Sequence, residues 1–338
     1  MAERITLSTI ADKLGVSTAT VSLALRDSPL VAEATRERIK EQAREIGYIY
    51  NRRAASLRTS RSDIVGVLVR DIVNPFFAEI LRSIEKELGD KRQTFLLCNH
   101  DDNLEIQENF IATLMQFGAD GVIMSPSVGT TPQDVERIEK NGIPVTMIAR
   151  TVEGTDIPSF IGDDLKGMEL VTSHLLDLGH RDIAIVGGTT LTSTGRARRA
   201  GFEAAFKKLG LPAKALIDIE TPYDKSSGYE AAKTILKAEK LPTAVACCSD
   251  TVAIGVMNGL REAGLIAGKD ISVTGYDDIE EARIAAPPLT SVSDGHNEIG
   301  RQAAQALIAK INGDTSFSSI NVVPPELRSR SSVCPPQS

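Results

Sequence analysis

The sequence has few cysteines, and their spacing is not that of a metal site. Its four cysteines among 338 residues include no CxxC pair. Cys247 and Cys248 are adjacent inside an apolar run, a position typical of the core of a strand. Because unpaired thiols persist in a reducing compartment, we expect a cytoplasmic protein that binds no metal.

Long apolar runs are missing too. No run approaches the ~18 residues that a membrane-spanning helix requires. Residues 1–30 contain Glu3, Asp12 and Asp27, whereas a secretory signal peptide would have an apolar core there. We therefore expect a soluble protein that is neither secreted nor embedded in a membrane.

The sequence also lacks the motifs of common enzyme classes. Neither GxxxxGK(S/T) nor GxGxxG occurs, so no phosphate-binding loop is predicted. No GxSxG follows a strand, and the four histidines, at positions 100, 174, 180 and 296, form neither an i, i+4 pair nor a Cys/His cluster. We predict no catalytic residue, no cofactor and no enzymatic activity, with a cytosolic α/β enzyme as a less favoured alternative.

Charge is distributed unevenly along the chain. The formal net charge is -7, but residues 1–60 hold ten Lys and Arg against seven Asp and Glu, a balance of +3 that leaves -10 for the rest. A basic N-terminal segment followed by an acidic remainder suits a DNA-binding module attached to a soluble sensor. A solvated helix face can also be basic by chance.

Residues 6–46 have the spacing of three short helices. Apolar residues recur at i, i+3, i+4 and i+7 over residues 7–14, Gly15 supplies a turn, and Ser17 is an N-cap for a second helix. A third helix is predicted over 35–46. This spacing alone is equally consistent with a helix-turn-helix and with a small helical bundle of another purpose. The outward face of the second helix is predicted to carry Thr18, Ala19, Ser22 and Leu23.

Two longer runs carry a family resemblance. The runs TLSTIADKLGVSTATVSLAL (6–25) and VAEATRERIKEQAREIGYIYNRRAASLR (31–58) strongly resemble the headpiece and hinge of the lactose-repressor (LacI/GalR) family of bacterial transcription regulators. The resemblance implies a homodimer that binds roughly palindromic operator DNA. It places these residues at the DNA: Thr6, Leu7, Ser17, Thr18, Ala19, Thr20, Ser22, Leu23, Arg26, Asn51, Arg52, Ala54, Leu57 and Arg58.

Within that set, the resemblance implies different roles. Thr18, Ala19 and Leu23 stand at base-reading positions, and paired Leu57 side chains are expected to wedge into the minor groove. The hinge segment is only about two helical turns long, so it should form a helix only when two copies pack together on DNA. Leu23 departs from many relatives, which have a polar or cationic residue there, so their operator sequences should not be transferred.

From Asp63 onward, short apolar runs alternate with amphipathic helices, which predicts doubly wound α/β structure with parallel sheets. The apolar runs are 64–69, 94–99, 121–126, 144–149, 183–188, 244–249 and 271–277. A break around 160–164 suggests two lobes, and the resemblance implies two subdomains like those of a periplasmic sugar-binding protein, joined by three crossovers.

The fold class is therefore α/β: a three-helix helix-turn-helix headpiece and a hinge helix, then two doubly wound parallel-sheet subdomains. We expect the headpiece to span 1–49 and the hinge 50–62. The first effector-binding subdomain is expected to comprise 63–162 and 294–324, and the second 163–293 and 325–338.

Ligands of open α/β sheets bind beyond the carboxyl ends of the strands, and polar residues follow most predicted strands here. Together with the resemblance, this predicts a ligand site formed by Asp71, Phe76, Phe77, Ser125, Asp163, Arg198, Ser249, Asp277, Asp294 and His296. Gly162 and Asp163 stand where relatives commonly have Asp-Asn, and an acid there disfavours anionic ligands. We expect a sugar as the small-molecule effector, with a purine or a sugar phosphate as the alternative.

Three functional classes follow. A ligand-controlled transcriptional repressor of a carbohydrate-uptake or catabolism operon accounts for both the headpiece and the cleft. A stand-alone sugar-binding protein would not need residues 1–62, and an α/β enzyme has no recognisable nucleophile or phosphate loop. The sequence therefore favours the repressor.

Overall fold

The computed structural model describes residues 5–49, 61–213, 215–314 and 316–337, which divide into two compact units. The first unit, Met1–Ser62, contains the predicted headpiece, and the second, Asp63–Ser338, contains the α/β structure. The predictions for Asn51, Arg52, Ala54, Leu57 and Arg58 lie outside the described residues.

The headpiece consists of three helices, α1 (Leu7–Leu14), α2 (Thr18–Leu25) and α3 (Glu33–Glu45). The hydroxyl of Ser17 accepts a hydrogen bond from the Thr20 N–H at 3.0 Å, which caps α2, and Gly15 ends α1 at φ 66°. Helix α3 begins two residues earlier than predicted. Its N-cap residue, Ala32, makes no side-chain cap, so the sequence does not mark that helix end.

A small apolar core holds these helices together. Ile10, Val21, Ala24 and Ile39 are fully buried in it, one or two from each helix. The three short helices predicted from the apolar spacing are confirmed.

The second unit contains two lobes, each built on a parallel sheet. The strands are β1 (Ile64–Val69), β2 (Thr94–Asn99), β3 (Gly121–Met124), β4 (Val145–Ile148), β5 (Ser159–Gly162), β6 (Ile183–Val186), β7 (Ile217–Ile219), β8 (Ala244–Cys247), β9 (Ser272–Thr274), β10 (Ser291–Ser293), β11 (Ile320–Val323) and β12 (Glu326–Arg328). The first-lobe sheet has the order β11-β5-β4-β3-β1-β2, and the second-lobe sheet β7-β6-β8-β9. Strands β10 and β12 form an antiparallel pair.

Helices cover these sheets. They are α4 (Pro75–Asp90), α5 (Leu104–Phe117), α6 (Pro132–Lys140), α7 (Asp164–Asp177), α8 (Ser193–Lys208), α9 (Lys225–Leu236), α10 (Asp250–Glu262), α11 (Glu280–Ile284) and α12 (His296–Ile311). Helix α12 packs against α4 in the first lobe, while α7 packs against α8, and α9 against α10, in the second. None of the helices in the described ranges is long and apolar enough to cross a membrane.

The described chain passes between the lobes three times: from β5 to α7, from β10 to α12, and from β11 to β12. These passages place Gly162, Asp294 and Val323 near one another, since the Asp163 N–H donates to the Val323 carbonyl and a Cβ on Gly162 would lie 3.0 Å from the Asp294 Cβ. Polar residues at the crossings therefore lie where the two lobes meet.

The parallel α/β architecture is confirmed, but its strands were incompletely predicted. Strands β1 and β2 have the predicted bounds, and the other predicted strands are two to four residues shorter. Residues 160–164 were interpreted as a break, whereas residues 159–162 form β5, which pairs with β4 and β11 inside the first sheet. A four-residue strand ending in glycine gives no apolar run long enough to recognise.

Two glycines bring α9 and α10 into close contact. A Cβ on Gly228 would lie 2.2 Å from the Val252 carbonyl oxygen, and one on Gly255 would lie 2.1 Å from the Lys225 carbonyl oxygen. Both distances are below any real Cβ contact, so backbone would have to shift to accept a methyl group. The two helices can pack this closely because neither Gly228 nor Gly255 has a side chain.

Gly255→Ala should destabilise the second unit by ~1–3 kcal/mol, because the added methyl group overpacks the α9–α10 interface. Urea denaturation monitored by circular dichroism measures the change. Gly89→Ala is the matched control, because it is also helical and a Cβ there meets nothing within 4 Å among the described residues. Equal stability of the two variants would contradict this account of the packing.

Candidate functional site

The exposed start of α2 is the candidate DNA-reading surface of the headpiece. Thr18 and Ala19 are exposed there, and Thr20 is half-buried. Thr6 and Ser17 use their hydroxyls to cap α1 and α2. Arg26 is exposed at the other end of α2, where its Nε donates to the Ser22 carbonyl at 3.1 Å. Leu7 is half-buried and packs against the headpiece core.

Two residues predicted on the outward face of α2 are placed differently. Ser22 is only 3% exposed, and Leu23 is half-buried and packs against the headpiece core. The reason is that the eight-residue α2 contacts both α1 and α3, so more than one side of it is covered. The outward-facing surface is therefore narrower than the helix spacing predicted and lies around Thr18 and Ala19.

A cavity of about 30 Å³ lies between the two lobes of the second unit, and we call it the inner cavity. Much of its wall comes from the carboxyl ends of β1, β4, β5 and β9, the location that open parallel sheets favour for ligands. It is lined by Arg70, Asn74, Phe76, Phe77, Ala149, Arg150, Gly162, Asp164, Thr194, Arg198, Tyr223, Asp277 and Asp294.

Arg198 is the centre of the second-lobe wall. It is 5% exposed, its Nε donates to Asp164 Oδ1 at 2.7 Å, and its Nη1 donates to Asp277 Oδ1 at 3.3 Å and to the Cys248 carbonyl. Its guanidinium also lies over the Tyr276 ring, 3.8 Å from the centroid. These contacts fix the plane of the guanidinium, so the cavity wall is rigid and hydrogen-bonded.

The carboxyl groups of Asp164 and Asp277, which contact Arg198, are buried in an environment that disfavours their charged forms. Burial raises the pKa of Asp164 to about 6, although the Arg198 charge opposes the shift. Burial likewise raises the pKa of Asp277 well above its usual range, against the opposing effect of Arg198. Asp277 also has φ 105°, a backbone conformation that side chains other than glycine rarely adopt and that stores of order 1–3 kcal/mol. Perturbed acids and backbone strain together are typical of a functional site.

Asp294 and His296 lie at the crossing between β10 and α12. Their Oδ1 and Nδ1 are 3.4 Å apart, an ion-pair distance, but neither atom has a hydrogen bond within the part of the chain that the structure describes. Burial alone would lower the pKa of His296, but the neighbouring Asp294 carboxylate raises it. Both buried atoms retain capacity for hydrogen bonds with a ligand.

The first-lobe wall contains a second charged cluster. Asp102 accepts hydrogen bonds from Arg70 Nε at 3.1 Å, from Arg150 Nη2 at 3.1 Å and from Arg150 Nη1. Burial would raise the pKa of Asp102, but the hydrogen bond and charge of Arg150, together with Arg70, lower it. This carboxylate therefore positions two arginines against the inner cavity.

Half of the predicted ligand-site residues line the inner cavity. Phe76, Phe77, Arg198, Asp277 and Asp294 do so. His296 lies beside them, with its ring 6.1 Å from that of Phe76 in an edge-on arrangement.

The other four predicted residues are not among those lining the inner cavity within the described ranges. Asp71 accepts from the Val73 N–H, Asp163 caps α7 through the Lys166 N–H, and Ser249 caps α10 through the Val252 N–H. Ser125 is fully buried, and its carbonyl accepts from His100 Nε2. Residues that follow strands also begin helices, and capping the first turn directs their side chains to the backbone.

The prediction missed several residues that the structure brings to the cavity. Asp164 is the buried acid that faces Arg198. The carboxyl group that lines the cavity therefore belongs to Asp164 and not, as predicted, to Asp163. Tyr223 follows β7, a strand of only three residues without a clear apolar run. Arg150 directly follows the predicted strand 144–149, and Thr194 lies in the polar run TTLTSTGR that follows the predicted strand 183–188. No group of His, Cys, Asp or Glu in the described ranges is arranged to hold a metal ion.

Comparison with known proteins covers both units. Residues 6–51 match the family described as bacterial regulatory proteins, lacI family. Residues 62–325 match periplasmic binding proteins and the sugar binding domain of the LacI family.

The chain belongs to the LacI family. It is a transcriptional regulator with a DNA-binding headpiece and a ligand-binding unit, as the resemblance implied. The inner cavity thus lies within the ligand-binding unit of the family.

Individual relatives extend over nearly the whole chain. The HTH-type transcriptional repressor PurR of Glaesserella parasuis serovar 5 is 32% identical over 334 residues, which are 97% of this chain and 98% of the relative. The lac repressor dimer bound to operator and the anti-inducer ONPF is 25% identical with a TM-score of 0.86, covering 98% of this chain and 100% of that one. A LacI family regulator from Enterococcus faecium with bound ribose is 32% identical with a TM-score of 0.74, covering 81% and 100%.

The raised pKa of Asp164 predicts a pH-dependent effect of Asp164→Asn. A group whose pKa is higher in the folded protein stabilises it at low pH, and that contribution is lost as the pH rises through the folded value. The parent protein should therefore lose stability relative to Asp164→Asn as the pH rises from about 4 to about 7.

Urea denaturation of both proteins across this pH range measures the difference in unfolding free energy. Asp163→Asn is the matched control, because it changes the adjacent carboxyl that caps α7. A difference that stays constant, or shifts in favour of the parent as pH rises, would contradict the burial of the Asp164 carboxyl.

Proposed function

We propose that this regulator is a cytoplasmic repressor of a carbohydrate-uptake or catabolism operon. Two copies of the chain bind a roughly palindromic operator through their headpieces, and a sugar bound between the lobes controls that binding. The protein catalyses no reaction.

The observation that carries the proposal is the chemistry of the inner cavity. The carboxyl oxygens of Asp277 and Asp294 accept hydrogen bonds from hydroxyl groups, and the Arg198 guanidinium donates to oxygen atoms. Phe76 and Phe77 line the same cavity and offer rings that pack against the apolar face of a sugar. This combination of acids, arginine and aromatic rings suits a polyhydroxylated ligand.

The relatives support the same assignment. One relative is named a transcriptional repressor, one solved structure is a dimer bound to operator, and another has bound ribose. A purine-responsive repressor is the second candidate, because the PurR relative spans nearly the full chain and aromatic rings also stack on bases. A thermal-shift screen of sugars, polyols and purines separates the two candidates, since a ligand that binds the native state raises its melting temperature.

The mechanism that we propose involves the domains predicted from the sequence. These are a headpiece at 1–49, a hinge at 50–62 and two effector-binding subdomains after the hinge. Effector binding changes how the lobes close, and this changes the spacing of the two hinge segments in the dimer. Hinge helices then form or melt, and the Leu57 wedge enters or leaves the minor groove. The effector acts only through its different affinities for the two forms.

Thr18→Ala should weaken operator binding at least tenfold, because Thr18 is exposed at the start of α2 and each lost base contact contributes ~1–3 kcal/mol. Operator sequences are selected from random DNA with the parent protein, and fluorescence anisotropy then gives both affinities. Thr234→Ala, an exposed threonine on α9, is the control. Unchanged affinity of Thr18→Ala would contradict the DNA-reading role of this surface.

A further inference from the structure

A second cavity, which we call the outer cavity, lies next to the inner cavity, and Arg70 lines both of them. This outer cavity has a volume of about 480 Å³ and shares Arg70, Arg150 and Tyr223 with the inner one. Its other walls come from Asp101, Asp102 and residues 189 and 220–222. The three shared residues therefore form the boundary between the two cavities.

The two cavities differ in size. The inner cavity, at about 30 Å³, is far smaller than the ~300–1,000 Å³ typical of ligand sites, so a sugar ring can enter it only if the lobes separate. The outer cavity, at about 480 Å³, already falls within the ~300–1,000 Å³ typical of ligand sites. This arrangement of the lobes therefore has room for part of a ligand outside the inner cavity.

Two shared residues carry buried polar atoms without hydrogen-bond partners among the described residues. These atoms are Arg70 Nη1 and the Tyr223 hydroxyl. Arg70 is 9% exposed, and its Nη1 lies 3.9 Å from a carboxylate oxygen of Asp71, which is beyond hydrogen-bond distance. Burial raises the pKa of Tyr223, so its hydroxyl keeps the proton that it can donate. A ligand atom at the boundary between the cavities would satisfy both donors.

The lining of the outer cavity favours a neutral, hydroxyl-rich group. Three carboxylates, on Asp101, Asp102 and Glu220, outnumber the guanidinium groups of Arg70 and Arg150, so an anionic group is disfavoured. Glu220 already accepts from the Thr190 N–H at 3.1 Å and has further acceptor capacity. The ring of Tyr223 adds an apolar surface for a sugar ring.

We propose that the outer cavity is a second sugar subsite, and that the effector is a neutral oligosaccharide of at least two rings. This inference rests on the proposed function and deepens it. One ring occupies the inner cavity between Phe77 and Arg198, and the next contacts Tyr223 and Glu220. The oxygen atoms that link them accept from Arg70 Nη1 and the Tyr223 hydroxyl.

The test is calorimetric titration of the full-length protein with maltose, cellobiose, lactose, sucrose, glucose, galactose, fructose, ribose, glucose 6-phosphate and hypoxanthine. We expect at least one disaccharide to bind at least tenfold more tightly than each of its component monosaccharides. A panel in which no disaccharide binds, or in which a monosaccharide, the sugar phosphate or the purine binds most tightly, overturns the proposal.

Two variants assign the second ring to the outer cavity. Glu220→Ala removes a hydroxyl acceptor, and Thr221→Trp fills the space; each should weaken disaccharide binding at least fivefold and monosaccharide binding much less. Glu239→Ala, an exposed glutamate of the same lobe, is the matched control and should leave both affinities unchanged. If both variants bind the disaccharide as the parent does, the second subsite is wrong.

Failure of this inference is distinguishable from failure of the proposed function. Operator affinity of the unliganded protein, measured separately by anisotropy, tests DNA binding without any sugar. A protein that binds operator and responds to a monosaccharide alone remains a sugar-controlled repressor, but it has no second sugar subsite.

Discussion

The ligand-binding unit depends on one buried guanidinium. Arg198 joins the start of α7 through Asp164, the end of β8 through the Cys248 carbonyl and the segment after β9 through Asp277. Removing one partner of a buried ion pair typically destabilises a protein by ~3–5 kcal/mol, because the remaining charge is left uncompensated. Arg198 thus links folding of the second lobe to the shape of the site, because both carboxyls that it contacts are buried.

The first lobe uses the opposite arrangement of charge. There one carboxylate, Asp102, holds two guanidinium groups, whereas in the second lobe one guanidinium holds two carboxyls. Two rigid, oppositely composed walls therefore face each other across the cleft. A ligand that supplies both donors and acceptors interacts with both walls, so its binding free energy depends on how closely the lobes approach.

Sequence patterns predicted the architecture better than the site. Alternating apolar runs and amphipathic helices are local features, and they correctly indicated the parallel sheets and the three-helix headpiece. Site positions depend on the direction of single side chains, which helix capping changes: Asp163 caps α7 while the adjacent Asp164 enters the cavity. Ser22 was misplaced for a similar reason, since contacts with two neighbouring helices cover more of α2 than its own periodicity implies.

The central claim is that the cleft and the headpiece share one conformational equilibrium. Thermodynamic linkage requires the effector to change operator affinity by the same factor by which operator changes effector affinity. The most direct measurement is calorimetric titration of the tightest-binding sugar into the free protein and into its operator complex. The account predicts two different dissociation constants, with a ratio equal to the effector-induced change in operator affinity. Equal dissociation constants with and without operator would contradict it.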